Sequence, residues 1–116
     1  MSERFLGIDT SNYTTSAALV EPGMVLENRK KLLPVKPGEK GLRQSDAVFH
    51  HVRQLPEVLS PILEVLTEPP KAIGVSLYPT TEKDSYMPCF LVGKNTAQLL
   101  GKAWNIPVEG FSHQQG

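Results

Sequence analysis

The sequence predicts one α/β domain with the element order β-β-β-α-β-α-β, built as a five-stranded mixed sheet. Three observations carry this expectation. The chain has 116 residues, enough for one buried core and too few for two. Its apolar pattern changes period, from strand-like runs in the first 33 residues to helical spacing from Ser45 onward. Beyond that point helical and strand-like segments alternate, and parallel strands need such crossover helices.

Residues 4–10 (RFLGIDT) carry apolar positions on both faces, as a central covered strand does. A short break at Ser11 and Asn12 leads into residues 14–20, a strand of small and β-branched side chains. The Glu21-Pro22-Gly23 turn joins it to a third strand, residues 24–33, which grows polar and basic through Arg29, Lys30 and Lys31. Tight connections make these three an antiparallel meander along one edge of the sheet. Two Pro, two Gly and three charges in residues 34–41 predict a mobile loop.

From Ser45, the residues Val48, Val52, Leu55, Leu59, Ile62 and Leu66 recur at spacings of 4, 3, 4, 3 and 4. This is an amphipathic helix capped by Ser45 or Asp46, with a kink or break expected at Pro56 or Pro61. Residues 71–77 (KAIGVSL) read as a buried strand, and residues 78–88 as a polar loop containing Glu82, Lys83 and Asp84. A second helix follows at residues 89–104, with Leu91, Val92, Leu99, Leu100 and Ala103 at helical spacing, and residues 108–111 form a last short strand. The strands beginning at Arg4, Lys71 and Val108 are expected to be parallel.

Twelve basic residues balance twelve acidic ones, so no strong positive field draws the chain to nucleic acid or to an acidic membrane. Any RNA contact must be local or assisted by a partner. The first residues, Met1 to Phe5, show neither a secretory signal nor a membrane anchor, and a cytosolic setting is expected. The single cysteine, Cys89, has no partner for an internal disulfide or a thiolate metal cage and is expected to be a buried small hydrophobe.

Asp9, Thr10 and Ser11 place a carboxylate and two hydroxyls at the end of a central strand. A turn there can present them, with backbone N–H groups, to a phosphate; the same residues also open ordinary β-turns. His50 and His51 are adjacent on a helix and point about 100° apart, so they do not form an i, i+4 metal pair. His50 is expected to pack the helix or anchor a loop, and Arg29 to Lys31 to be a solvated strand end.

The opening GIDTSNYTTSAALV resembles that of the TsaD/Gcp family, the tRNA threonylcarbamoyladenosine proteins once called O-sialoglycoprotein endopeptidases. The histidine before Leu55-Pro56, the LVGKNTA stretch at Leu91, and Asn105-Ile106-Pro107-Val108 resemble its first helix, second helix and approach to the last strand. Ser112-His113-Gln114-Gln115-Gly116 resembles the start of its His-x-x-x-His metal motif, of which His113 is the first histidine. The resemblance implies an actin-like ATPase, or ribonuclease H-like, half domain. Residues 1–116 would be the N-terminal lobe of a two-lobed parent about three times as long, trimmed inside the motif.

The family further implies a divalent metal, iron or zinc, held in part by His113, and ATP or an acyl-adenylate held in part by Asp9, Thr10 and Ser11. This chain alone is expected to hold neither and to be inactive. Asn12-Tyr13-Thr14 stands where the family has Cys-Asp-Glu, removing two acidic residues tied to catalysis, and Tyr78-Pro79-Thr80 stands where it has Gly-Pro-Gly. The first departure resembles the non-catalytic TsaB branch, which lacks the histidine motif. The implied partners are a second copy of the chain or another actin-like protein, with tRNA reached only indirectly and no membrane. An apolar patch including Ile106 and Phe111 is expected to drive dimerisation. Protease activity is not implied, because no nucleophile, base and orienting group converge.

Overall fold

The computed structural model describes residues 3–10, 14–34, 44–77 and 87–112. Its elements run β1 (Phe5–Asp9), β2 (Thr14–Glu21), β3 (Met24–Leu32), α1 (Gln44–Val65), β4 (Ala72–Leu77), α2 (Met87–Trp104) and β5 (Val108–Ser112). The five strands form one sheet in the order β3-β2-β1-β4-β5. β1 runs antiparallel to β2 and parallel to β4, and β4 runs parallel to β5. The expected mixed sheet, its meander edge and its three parallel strands are all present.

The β2–β3 hairpin turns on Pro22 and Gly23, with Glu21 paired to Met24 and Gly23 at φ 78°. Proline supplies the first φ of a type II turn and glycine the positive second one. A register shift beyond Leu19 lets Leu26 stand as the extra residue of a bulge, and Leu26 packs on the core.

Alternation decides which face of the sheet is covered. Leu6 and Ile8 of β1, Ala17 and Leu19 of β2, and Ile73 and Val75 of β4 point to one side, where Leu55, Val58, Leu59 and Ile62 of α1 and Ala97 of α2 meet them. Each fully buried Leu or Ile there contributes about 1.5–3 kcal/mol. α1 lies over β2 and β3, α2 lies over β4 and β1, and the helices touch each other.

Four expectations need correction. α1 begins at Gln44, placing Ser45 and Asp46 inside its first turn rather than at its cap, and it runs unbroken through Pro56 and Pro61. The carbonyls that would have taken the two missing N–H groups belong to Val52 and Glu57, both exposed, so water can satisfy them while the buried stripe holds the helix. α2 begins two residues earlier than expected, at Met87. Its buried face is the small-residue row Cys89, Gly93, Ala97 and Gly101, whereas Leu91, Leu99 and Ala103 are exposed. Close helix–sheet approach selects small side chains, which apolar periodicity overlooks.

α2 ends in a Schellman motif. Asn105 takes the left-handed conformation at φ 59°, Ile106 N–H donates to the Gly101 carbonyl at 3.0 Å, and Asn105 N–H donates to the Lys102 carbonyl at 3.3 Å. The next residue, Pro107, gives its carbonyl to Ile73 N–H at 3.0 Å, which sets β5 beside β4.

Candidate functional site

Asp9 and Thr10 lie at the carboxyl end of β1. Asp9 is half-buried and pairs with Ser16 of β2. Thr10 is fully buried, and its hydroxyl is engaged within the fold: it donates to the Cys89 carbonyl at 2.7 Å and accepts from Gly93 N–H at 2.9 Å. Its only proton is thereby committed, so the Thr10 side chain faces α2 rather than an open cleft. Ser11, Asn12, Tyr13, the 78–86 segment and His113 lie outside the described residues. Among the described residues, no three of His, Cys, Asp and Glu gather as a metal group.

Cys89 is fully buried, as expected, and burial pushes its thiol pKa up. Among the described residues no helix is long and apolar enough to cross a membrane.

A second cluster was not foreseen. Thr15 and His51 are fully buried, and Thr15 Oγ1 and His51 Nδ1 share a hydrogen bond of 2.8 Å whose direction follows the imidazole tautomer. Gln54 Nε2 donates to Thr15 Oγ1 at 3.1 Å and to the Lys31 carbonyl at 3.2 Å. His51 rather than His50 is therefore the anchoring histidine. His50 is half-buried with its ring edge-on to Phe49, centroids 5.5 Å apart. One signal was available: His51 lies four residues from both Ala47 and Leu55, on the buried stripe of α1.

At the outer end of this cluster, Lys31 forms an ion pair with Glu57. The Lys31 hydrogen bond and charge hold the Glu57 carboxyl below its ordinary range. Lys31 is exposed, as expected of a solvated strand end, and Arg29 pairs with Glu27 at 3.2 Å.

An apolar groove of about 510 Å³ runs between the helices, lined by Val48, Val52, Leu55 and Pro56 of α1 and Leu91, Val92, Asn95 and Thr96 of α2. Phe49 (55% exposed), Val52 (54%), Leu91 (42%) and Leu99 (70%) lie on these helices beside or along it. Part of the exposed apolar surface is thus on the helix pair, and another part, Met24, Val25 and Leu32, is on β3. Ile106 instead packs half-buried against the core, and the Phe111 side chain lies outside the described residues.

No family model matches the chain. A probable bifunctional tRNA threonylcarbamoyladenosine biosynthesis protein of Haloquadratum walsbyi is 32% identical over 115 residues, 95% of this chain and 21% of that protein. A probable tRNA N6-adenosine threonylcarbamoyltransferase of Drosophila melanogaster is 30% identical over 93% of this chain and 30% of its own length. A tRNA N6-adenosine threonylcarbamoyltransferase of Methanopyrus kandleri is 28% identical over 93% of this chain and 31% of its own length. The chain therefore spans between a fifth and a third of the curated relatives it matches.

Among solved structures, YeaZ from Pseudomonas aeruginosa superposes with a TM-score of 0.67 at 21% identity, over 94% of this chain and 43% of that one. RuvC of Thermus thermophilus superposes with a TM-score of 0.56 at 15% identity, over 97% and 66% respectively. These likenesses show an actin-like, ribonuclease H-like fold.

Proposed function

Because this chain belongs to the TsaD/Gcp family of tRNA threonylcarbamoyladenosine proteins, we propose that it is the N-terminal actin-like lobe of a threonylcarbamoyl transferase and is inactive on its own. The observation that carries the reading is sequence identity extending over 95% of the chain, together with the sheet order that places Asp9 at the carboxyl end of a central strand. Ligands of open α/β sheets bind outside such strand ends.

In this reading, an acyl-adenylate, when bound, would supply the activated acyl group that tRNA receives, and ATP, which carries no acyl group, would occupy the same phosphate site. Asp9, Thr10 and Ser11 would line its phosphate: Ser11 and main-chain N–H groups as donors, Asp9 through a cation that offsets the two negative charges, and Thr10 through its backbone because its hydroxyl is committed to α2. His113 would give one imidazole to an iron or zinc ion. The other ligands must then come from the longer protein, since the described residues hold no metal group of three. The lobe works in the cytosol and meets tRNA only through the assembled protein.

The test is threonylcarbamoyl transfer to unmodified tRNA, read by mass spectrometry of the nucleosides. The isolated chain should produce none, and the chain joined to the remainder of a family member should produce the modified adenosine. Product from the isolated chain would overturn the inactive-lobe reading.

Two observations favour a second reading, that of a non-catalytic docking partner. Asn12-Tyr13-Thr14 stands in place of the family's acidic pair, and α1 and α2 expose Val52 and Leu91 in an apolar groove between them. Isolated apolar residues are ordinary on a surface, but an apolar groove that exposes Val52 and Leu91 fits a partner helix. The occupant in this reading is a second copy of the chain, packed helix pair against helix pair, with another actin-like protein as the alternative. Sedimentation at about 100 μM, where a weak dimer is populated, should show a dimer that Val52→Asp with Leu91→Asp abolishes. A monomer throughout would remove the homodimer.

A further inference from the structure

Outside the buried chain of Thr15, His51 and Gln54 lies a small cleft between the end of β3 and α1. Lys31 and Pro34 form one wall, and His50, Arg53, Gln54 and Glu57 the other, around about 130 Å³. The four α1 residues follow one another at spacings of 3, 1 and 3, so the helix turns them onto one face. Drug-sized ligands take about 300 Å³ or more, whereas this space suits one tetrahedral oxyanion with a little water.

The donors facing the cleft are not used up by the fold. Glu57 accepts one N–H of Lys31, and an ammonium has others to give. Arg53 sets its guanidinium carbon 5.7 Å from the centre of the Phe49 ring, and among the described residues no oxygen accepts from it. His50 is half-buried beside them, and an imidazole offers an N–H in either protonation state. Gln54 is buried and spends its amide N–H groups on Thr15 and on the Lys31 carbonyl, so it fixes the floor. One carboxylate therefore stands against two permanent cations and an imidazole.

We infer that this cleft is a binding site for a small phosphate dianion, free or at the end of a monoester, with Arg53 and His50 as its principal donors and Lys31 held beside them by Glu57. The site uses none of the residues of the nucleotide reading and stands or falls apart from it. Arg53 suits the role: a planar guanidinium meets two phosphate oxygens at once, and the Phe49 ring restrains it before the ligand arrives. Glu57 opposes the charge of the ligand, so the dissociation constant is expected on the order of 1 mM.

Titration of the 116-residue chain with sodium phosphate at about pH 8 and constant ionic strength, followed by NMR, tests the site. The signals of Arg53 Nε–H, His50 and Lys31 should move together and saturate, and sodium chloride should not reproduce this. Arg53→Gln should weaken binding about tenfold, through the loss of a charge-assisted hydrogen bond. Glu57→Gln should tighten it about threefold, because it removes a like charge and releases Lys31. Both positions are exposed, so neither change strains the fold. Methyl phosphate that binds as well as inorganic phosphate assigns the ligand to a monoester end, and methyl phosphate that does not bind assigns it to the free ion; either supports the cleft. Dimethyl phosphate, a monoanion, should bind far more weakly, and equal binding overturns a dianion site. Shifts that never saturate, or that appear equally at Arg4, Lys71 and Lys102, mean screening of surface charge and overturn the proposal. So does an Arg53→Gln chain that binds as the unmodified chain does.

Discussion

Thr15 Oγ1 and His51 Nδ1 stand 2.8 Å apart in a fully buried setting, and this contact fastens the middle of α1 to β2. Gln54 extends the fastening to the Lys31 carbonyl of β3, so one polar chain spans three elements. Satisfied networks of this kind hold a unique packing, and half-satisfied ones are costly. His51→Ala should destabilise the fold by about 2–4 kcal/mol, through the cavity and the partner lost at Thr15. In a double-mutant cycle with Thr15→Val, the two changes should cost less together than their sum by about 0.5–3 kcal/mol. Urea unfolding of the four proteins measures this, and strict additivity would show that the hydrogen bond carries no coupling.

Gly101 is where α2 comes closest to β5. A Cβ on it would sit 2.5 Å from Val108 Cγ2 and 3.1 Å from the Ile106 carbonyl, inside the Schellman turn. Gly101→Ala should therefore cost about 1–3 kcal/mol by overpacking, outweighing the gain in helix propensity. Adding Val108→Ala removes the nearer obstacle, so the double variant should melt higher than Gly101→Ala alone. A double variant that melts lower would mean that the Ile106 carbonyl, not Val108, sets the limit.

Glu57 is fully exposed, and the Lys31 hydrogen bond and charge lower its pKa from 4.5. A carboxyl whose folded pKa is depressed adds stability above its unfolded pKa and loses it as pH falls through the folded value. The contribution is small at an exposed site and is screened by salt. Urea midpoints of the unmodified chain and Glu57→Gln should differ slightly at neutral pH and low salt, then converge below pH 4.5. A difference that persists at lower pH, or that ignores salt, would point to packing instead.

The Cys89 thiol is fully buried and its pKa is raised by desolvation, so it is poor in thiolate and closed to reagents. Alkylation by iodoacetamide at pH 8 should track global unfolding and speed up in urea in step with the loss of helix. Fast labelling of the native chain would show that the first turn of α2 opens locally.

The order of elements was readable in the sequence because each switch of period marks a change of partner surface. Residues 4–10 read as apolar on both faces, whereas the helices cover the side that Leu6 and Ile8 share; the 4-3-4-3-4 spacing located α1, although Val52 of that set is exposed and Leu66 lies just past the helix. What was not readable depends on geometry that one segment cannot encode. The prolines of α1 read as breaks because nothing local says that Val52 and Glu57 face water. The packed row of α2 was hidden because Cys89, Gly93, Ala97 and Gly101 carry little apolar weight, while the conspicuous Leu91 and Leu99 face outward. At the candidate site, Thr10 was readable as lying at a strand end, while Ser11 lies outside the described residues. That Thr10 reaches α2 follows from a contact 79 residues away, which no motif announces.

The position of β3 at the rim of the sheet gives the basic run a purpose unrelated to RNA. A nine-residue rim strand that exposes Met24, Val25 and Leu32 is a template for aggregation, because its free backbone edge accepts any passing strand. Arg29, Lys30 and Lys31 place charged side chains on that strand, two of them paired with Glu27 and Glu57, and a second strand docking there would have to bury or displace them. Charged side chains of this kind make the rim a poor template for a second strand.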